Sequence, residues 1–179
     1  EIDGVSYTGA AGLAALATLP ADTPTVAFGT LTTAERRYDA SIVLAGSSVP
    51  GQGMDAVNGN VVARSGDVLT VRGATIVRSS GVVIFRDSVT VTLGDDTSVR
   101  RRPGLALDKM AISVGQRVEI LGTITSAPSA ETTTLDATAG RVRLLVTQLE
   151  GLANSSHPGQ LSRDLASSDG RPRGLFASS

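Results

Sequence analysis

In residues 57–149 the apolar side chains recur at a period of two rather than 3.6, so this part of the chain is built for strands with one buried face. Asn60 to Arg64 and Asp67 to Arg72 flank Ser65-Gly66, and glycine supplies the positive φ that a tight hairpin turn needs. After Ser80-Gly81, an apolar run from Val82 to Phe85 leads into Val89, Val91 and Leu93, which alternate with threonines up to Gly94-Asp95-Asp96. This reads as one long strand, or as two strands with a bulge at Asp87-Ser88. Val118, Ile120, Gly122 and Ile124 share a strand face, and the segment from Asp136 to Gln148 supplies a last strand with Val142, Leu144 and Val146 inward. Thr125 to Thr134 is a polar loop between them.

The segment from Leu105 to Ala111 is the one stretch of this unit with good helix formers, and Pro103-Gly104 offers it a start. The expected order is therefore three strands, a short helix and two strands. This is an all-β, mainly antiparallel layout, an OB-like five-stranded barrel with a short helix between strands three and four. An open sandwich has the same alternation, and the pattern alone does not separate the two.

The chain also resembles itself. Thr25 to Thr32 reads like Arg117 to Thr125 with Gly29 on Gly122, and Tyr38-Asp39-Ala40-Ser41 falls on Leu135-Asp136-Ala137-Thr138. Val57-Asn58-Gly59 matches Leu149-Glu150-Gly151, and the apolar stretch from Leu13 to Leu19 lies where Leu105 to Ile112 lies. Four matches in one order define a unit of about 93 residues. Its phase divides the chain into three parts. Residues 1–56 form a partial first repeat with a short helix and two strands, 57–149 a complete barrel, and 150–179 the start of a further repeat or a mobile tail. Half-units leave unpaired strand edges, which pair within the chain or with a neighbour.

Gly59 with Val61, Val68 to Val71, the series Val114-Gly115-Gln116-Arg117-Val118-Glu119-Ile120-Leu121-Gly122, and Leu135-Asp136-Ala137-Thr138 carry a resemblance. The chain resembles a bacterial family of exported lipoproteins of unknown function with tandem OB-like barrels, over residues 25–160. The first copy departs from the family pattern, with Pro20 to Pro24 where the Val-Gly turn belongs. The resemblance implies a fold and an extracytoplasmic location: bacterial periplasm, outer-membrane surface or extracellular space. It implies no reaction.

Chemistry is sparse among the 179 residues. There is no Cys, which removes disulfides, thiolate nucleophiles and Cys-ligated metals, and a single His leaves no His-rich metal site. That residue, His157, lies in Asn154-Ser155-Ser156-His157-Pro158-Gly159, which has the composition of an exposed loop. No catalytic residue, metal site or cofactor is assigned. The Asp95-Asp96 turn lacks the ligand spacing and closing Glu of an EF-hand. Asp39 and Asp136, each before an alanine, read as carboxylates that accept backbone amides at strand starts. Gly51-Gln52-Gly53 lacks the context of a dinucleotide fingerprint and reads as a linker.

The net charge is −1 and only 3% of residues are aromatic, which argues against nucleic acid as a partner. No apolar run approaches the roughly 20 residues of a membrane span. Arg100, Arg101 and Arg102 are the one charge run, and with Arg72 and Arg86 on the early strands they are candidate ligand-binding residues for a glycan or an anionic polymer. The alternative is a solvated strand end paired with Asp95, Asp96 or Asp108. The leading expectation is a non-enzymatic structural or adhesive module that associates with itself through its half-repeats. A ligand-binding module on the arginine-bearing face is the second.

Overall fold

The computed structural model describes residues 1–101, 105–127, 130, 132–157, 160–168 and 171–172, and beyond Gln148 it gives the backbone alone. A short helix α1 (Gly9–Ala17) comes first, followed by the hairpin β1 (Thr25–Thr32) and β2 (Arg37–Ala45). Then come β3 (Asp55–Ser65), β4 (Val68–Val77), β5 (Val83–Leu93), β6 (Ser98–Arg101), β7 (Leu105–Leu107), β8 (Arg117–Ile124) and β9 (Thr133–Leu144). Last are β10 (Leu149–His157), β11 (Gln160–Ser168) and β12 (Arg171–Pro172).

Strands β3, β4, β5, β9 and β8 form a closed barrel. Antiparallel pairs join β3 to β4, β4 to β5 and β8 to β9, and β3 also pairs with β8. The remaining gap closes with a parallel pair in which Val89 to Leu93 of β5 lie beside Thr133 to Ala137 of β9. Closure excludes the open sandwich. It also removes the sheet edges that an alternating sequence would otherwise expose. Two further sheets stand apart, the β1–β2 hairpin and the three-stranded β10–β11–β12.

The alternation places the core. Val57 and Val61 of β3, Leu69, Val71 and Ile76 of β4, Val89, Val91 and Leu93 of β5, and Val118, Ile120, Leu135, Val142 and Leu144 form one buried cluster. Each such side chain contributes roughly 1.5–3 kcal/mol on burial. Several irregularities turn strands within this barrel, two on β3 against β4 and two more that set the faces of β4, β5 and β9. On β4 and β5 the inward phase switches where Gly73, at φ +57°, stands level with Asp87. The inward positions run 84 and 86 before Asp87, and 89, 91 and 93 after it. β5 is therefore one strand with a change of face. On β9 the register breaks opposite Gly122, where a Cβ would collide with the carbonyl oxygen of Asp136. Thr97 supports the bend, its hydroxyl donating to the Ala137 carbonyl at 2.7 Å and accepting the Gly94 amide.

Three sequence expectations change. Residues 105–111 are not a continuous helix: Leu105–Leu107 pairs with β6 as a strand, and only Lys109–Ala111 turns, as a single 3-10 turn. Only Leu107 of that strand packs on the core, and β6 supplies its backbone partners. The Asp108 carboxylate caps the 3-10 turn by accepting the Met110 amide at 2.7 Å, and the chain then delivers Ile112 into the core. Val146 is not inward, because β9 ends at Leu144 and leaves Val146 92% exposed. Residues 154–157 belong to β10 rather than to a loop, with His157 paired to Gln160 at the strand end. Arg102 and Pro103-Gly104 lie outside the described residues, as do residues 173–179.

Candidate functional site

The N-terminal hairpin and its helix expose a series of apolar side chains, among them Leu13 and Val26. Phe28, Leu31 and Tyr38 are all exposed, Leu31 at 61%. The helix beside the hairpin buries little. α1 has nine residues, buries none, and receives no capping bond from Thr8. A helix this short needs tertiary packing to persist. It leaves a cleft against β2 lined by Tyr7, Leu13, Leu16, Ala40 and Val43.

This hairpin shares its local geometry with β8–β9 in the barrel. Its register breaks between Phe28 and Gly29, and a Cβ on Gly29 would collide with the Asp39 carbonyl oxygen and press on the Cα of Ala40. Gly122 makes the same approach to Asp136 and Ala137. The carboxylates differ in partner. Asp136 accepts the Thr138 amide at 2.9 Å and its hydroxyl at 2.7 Å, and those two hydrogen bonds hold its pKa below the usual carboxylate value. Asp39 instead takes Arg37 at 2.8 Å and the Thr32 hydroxyl at 3.2 Å. The larger contrast is in cover. Leu135 and Ala137 are buried in the barrel core, whereas their sequence counterparts Tyr38 and Ala40 are exposed.

A buried ionic cluster fastens this segment to the barrel. Arg143 and Glu119 stand opposite each other across β9 and β8, joined by a 2.6 Å bond from Nη1 to Oε2. They face away from the core, yet Arg143 is only 2% exposed because residues 1 and 48 cover it. Its Nη2 donates to Glu1 Oε1 at 2.9 Å and to the Ser48 carbonyl at 2.7 Å. Burial alone would raise the Glu1 carboxyl, but the hydrogen bond and charge of Arg143 outweigh it and leave the group below its ordinary value. The cluster is structural: every charge in it has an opposite charge in contact.

The candidate arginines are not brought together. Arg72 points outward, its Nε 3.9 Å from Asp87. Arg86 lies across from buried Ala74 and turns to the end of the barrel, donating to Thr133 Oγ1 at 3.2 Å. Arg100 pairs with Arg143 near the far end of β9, ten residues beyond Thr133, about 33 Å of extended strand. Arg101 lines a cleft with Ser41, Ile42, Arg117 and Val146. Neither Arg100 nor Arg101 makes an ion pair among the described residues, and Arg102 is outside them. Asp95 pairs with Lys109 at 2.8 Å rather than with the arginine run, and that hydrogen bond lowers its pKa. Arg64 holds the Lys109 and Ile112 carbonyls.

Sequence reasoning missed Asp55 and the Arg143 cluster. Asp55, 5% exposed, accepts the amides of Ser79 and Ile124 and pairs with Arg78 at 3.0 Å, tying three strands at one end of the barrel. Its signal in the sequence was only an acidic residue before an apolar strand. Among the described residues no group of three or more His, Cys, Asp or Glu side chains is placed to hold a metal ion, and no helix is long and apolar enough to cross a membrane. No protein-family model, curated protein or solved structure matches this chain.

Proposed function

We propose that this chain is a non-enzymatic OB-like module of the bacterial cell envelope or extracellular space, and that it associates with itself through complementing half-repeats. The order around the barrel, with strands one, two, three, five and four in a ring and three parallel to five, supports the OB assignment. One observation carries the self-association: the β1–β2 hairpin carries the Gly29, Asp39 and Ala40 geometry of a barrel hairpin, while its apolar positions lack a barrel to sit on. An isolated two-stranded hairpin is marginal in water, so such a surface is stabilised by further strands. The antiparallel pair β10–β11 has the chain direction and sequence phase of β3–β4 and is of the kind that would supply them. The extracytoplasmic location rests on the family resemblance alone. A glycan or anionic polymer lying along one arginine strip has no comparable support, since Arg72, Arg86 and Arg100 occupy separate regions.

Light scattering coupled to size-exclusion chromatography, across a hundredfold range of protein concentration and with electron microscopy of the same samples, tests the reading. The expected result is mass rising in steps above 18.2 kDa, and its loss in the Phe28→Lys/Leu31→Lys double variant with the barrel still folded. A constant monomer mass at every concentration overturns it.

A further inference from the structure

The two ends of the barrel are unlike. Where β3 turns into β4, Ile112 closes the core, held by an Arg64 Nη1 bond of 2.8 Å to its carbonyl. The other end lies beyond the Val57–Ile76 pair, seven residues back along β3 from Arg64 and roughly 23 Å away. Val82, Ser126 and Ala127 line it from the flanking segments. Ile76, Ile84 and Ile124 form the floor of a cavity of about 240 Å³, continuous with the core beneath, and Arg78, Arg86 and Thr133 stand at its rim.

The two rim arginines differ. Arg78 is held by the carboxylate of Asp55. Arg86 has two neutral acceptors, Thr133 Oγ1 and the Phe85 carbonyl, both at 3.2 Å, and no ion pair among the described residues. Its position follows from the phase switch at Gly73 and Asp87. Without that switch Arg86 would share the outer face with Arg72, away from the isoleucines. A guanidinium at the lip of an apolar cavity, satisfied only by neutral groups, keeps its strongest interaction for an anion. Barrel mouths are also frequent ligand sites, where a few polar groups orient a largely apolar guest. A cavity of about 150 Å³ accepts a benzene ring, so this one has room for a ring and a carboxylate.

We infer that the open end of the barrel binds a small aryl or alkyl carboxylate, its apolar body on Ile76, Ile84 and Ile124 and its carboxylate on Arg86. The site lies on the barrel and is independent of self-association through the hairpin. The test is an amide NMR titration of the full chain with phenylacetate, with phenylacetamide as the neutral control. Saturable shifts are expected at Ile76, Ile84, Arg86 and Ile124, with phenylacetamide at least tenfold weaker. Arg86→Gln should weaken phenylacetate at least tenfold and Arg72→Gln should leave it unchanged, with thermal unfolding confirming that both variants fold. Ile84→Phe, which fills the cavity, should abolish binding; if that variant does not fold, the Arg86→Gln result decides. Shifts that never saturate, equal affinity for the amide, unchanged affinity in Arg86→Gln, or shifts confined to the cleft under α1 would each overturn the inference.

Discussion

Glycine 122 has no room to be anything else. Replacing it with alanine sets a methyl against the Asp136 carbonyl oxygen, a backbone atom that cannot swing away. Gly122→Ala should therefore cost about 2 kcal/mol or more of barrel stability, measured by chemical denaturation, whereas Gly29→Ala should leave the barrel transition unmoved. Arg143 offers a different kind of test. Arg143→Leu removes the closest cation from two covered carboxylates, Glu119 and Glu1, so the expected loss is about 3–5 kcal/mol. The Glu119→Leu/Arg143→Leu pair should recover part of it, because Glu119 is then no longer a buried carboxylate, while Glu1 is left with Arg141 at 4.0 Å. A double-mutant cycle in urea checks both expectations.

Between the barrel and its N-terminal segment, the attachment of the elements should weaken on acidification. The Glu1 carboxyl is held below its ordinary value of 4.5 by Arg143, so its contribution is complete above about pH 4.5 and is lost as the pH falls through the depressed folded value. On acidification, protection of the Gly4 and Ala45 amides, which bond to the Ser48 hydroxyl and the Glu1 carbonyl, should fall before that of β3 and β8. Hydrogen exchange between pH 6 and 3 reads this directly. The elements also show what a linear sequence carries and what it omits. Alternation marked β3, β4, β5, β8 and β9, because a half-buried strand imposes its period on the side chains. It misplaced the arginines, since one change of face at Asp87 sends Arg72 and Arg86 to different surfaces. Helix propensity misread residues 105–107, where pairing to β6 outweighed it. The burial of Arg143 was invisible for another reason: residues 1 and 48, remote in sequence, are what cover it.

At the scale of the whole molecule, stability is concentrated in residues 55–144, while α1 buries nothing and β1 is exposed throughout nearly all its length. Unfolding should not be a single event. Backbone amides of the barrel strands should exchange only by global opening, and those of α1 and of Thr25 to Thr32 at rates set by local opening. If the proposed association holds, raising the protein concentration should slow exchange at β1 while leaving the barrel unchanged. Closure by a parallel pair has a further consequence, for synthesis. β5 cannot find its parallel neighbour until Thr133 to Ala137 have left the ribosome, and β3 must wait for Arg117 to Gly122 to shield its other edge. Through that interval the nascent chain is an open three-stranded meander with both rims bare. A factor that shelters strand edges during translation would therefore matter to this chain more than one that hastens the final packing.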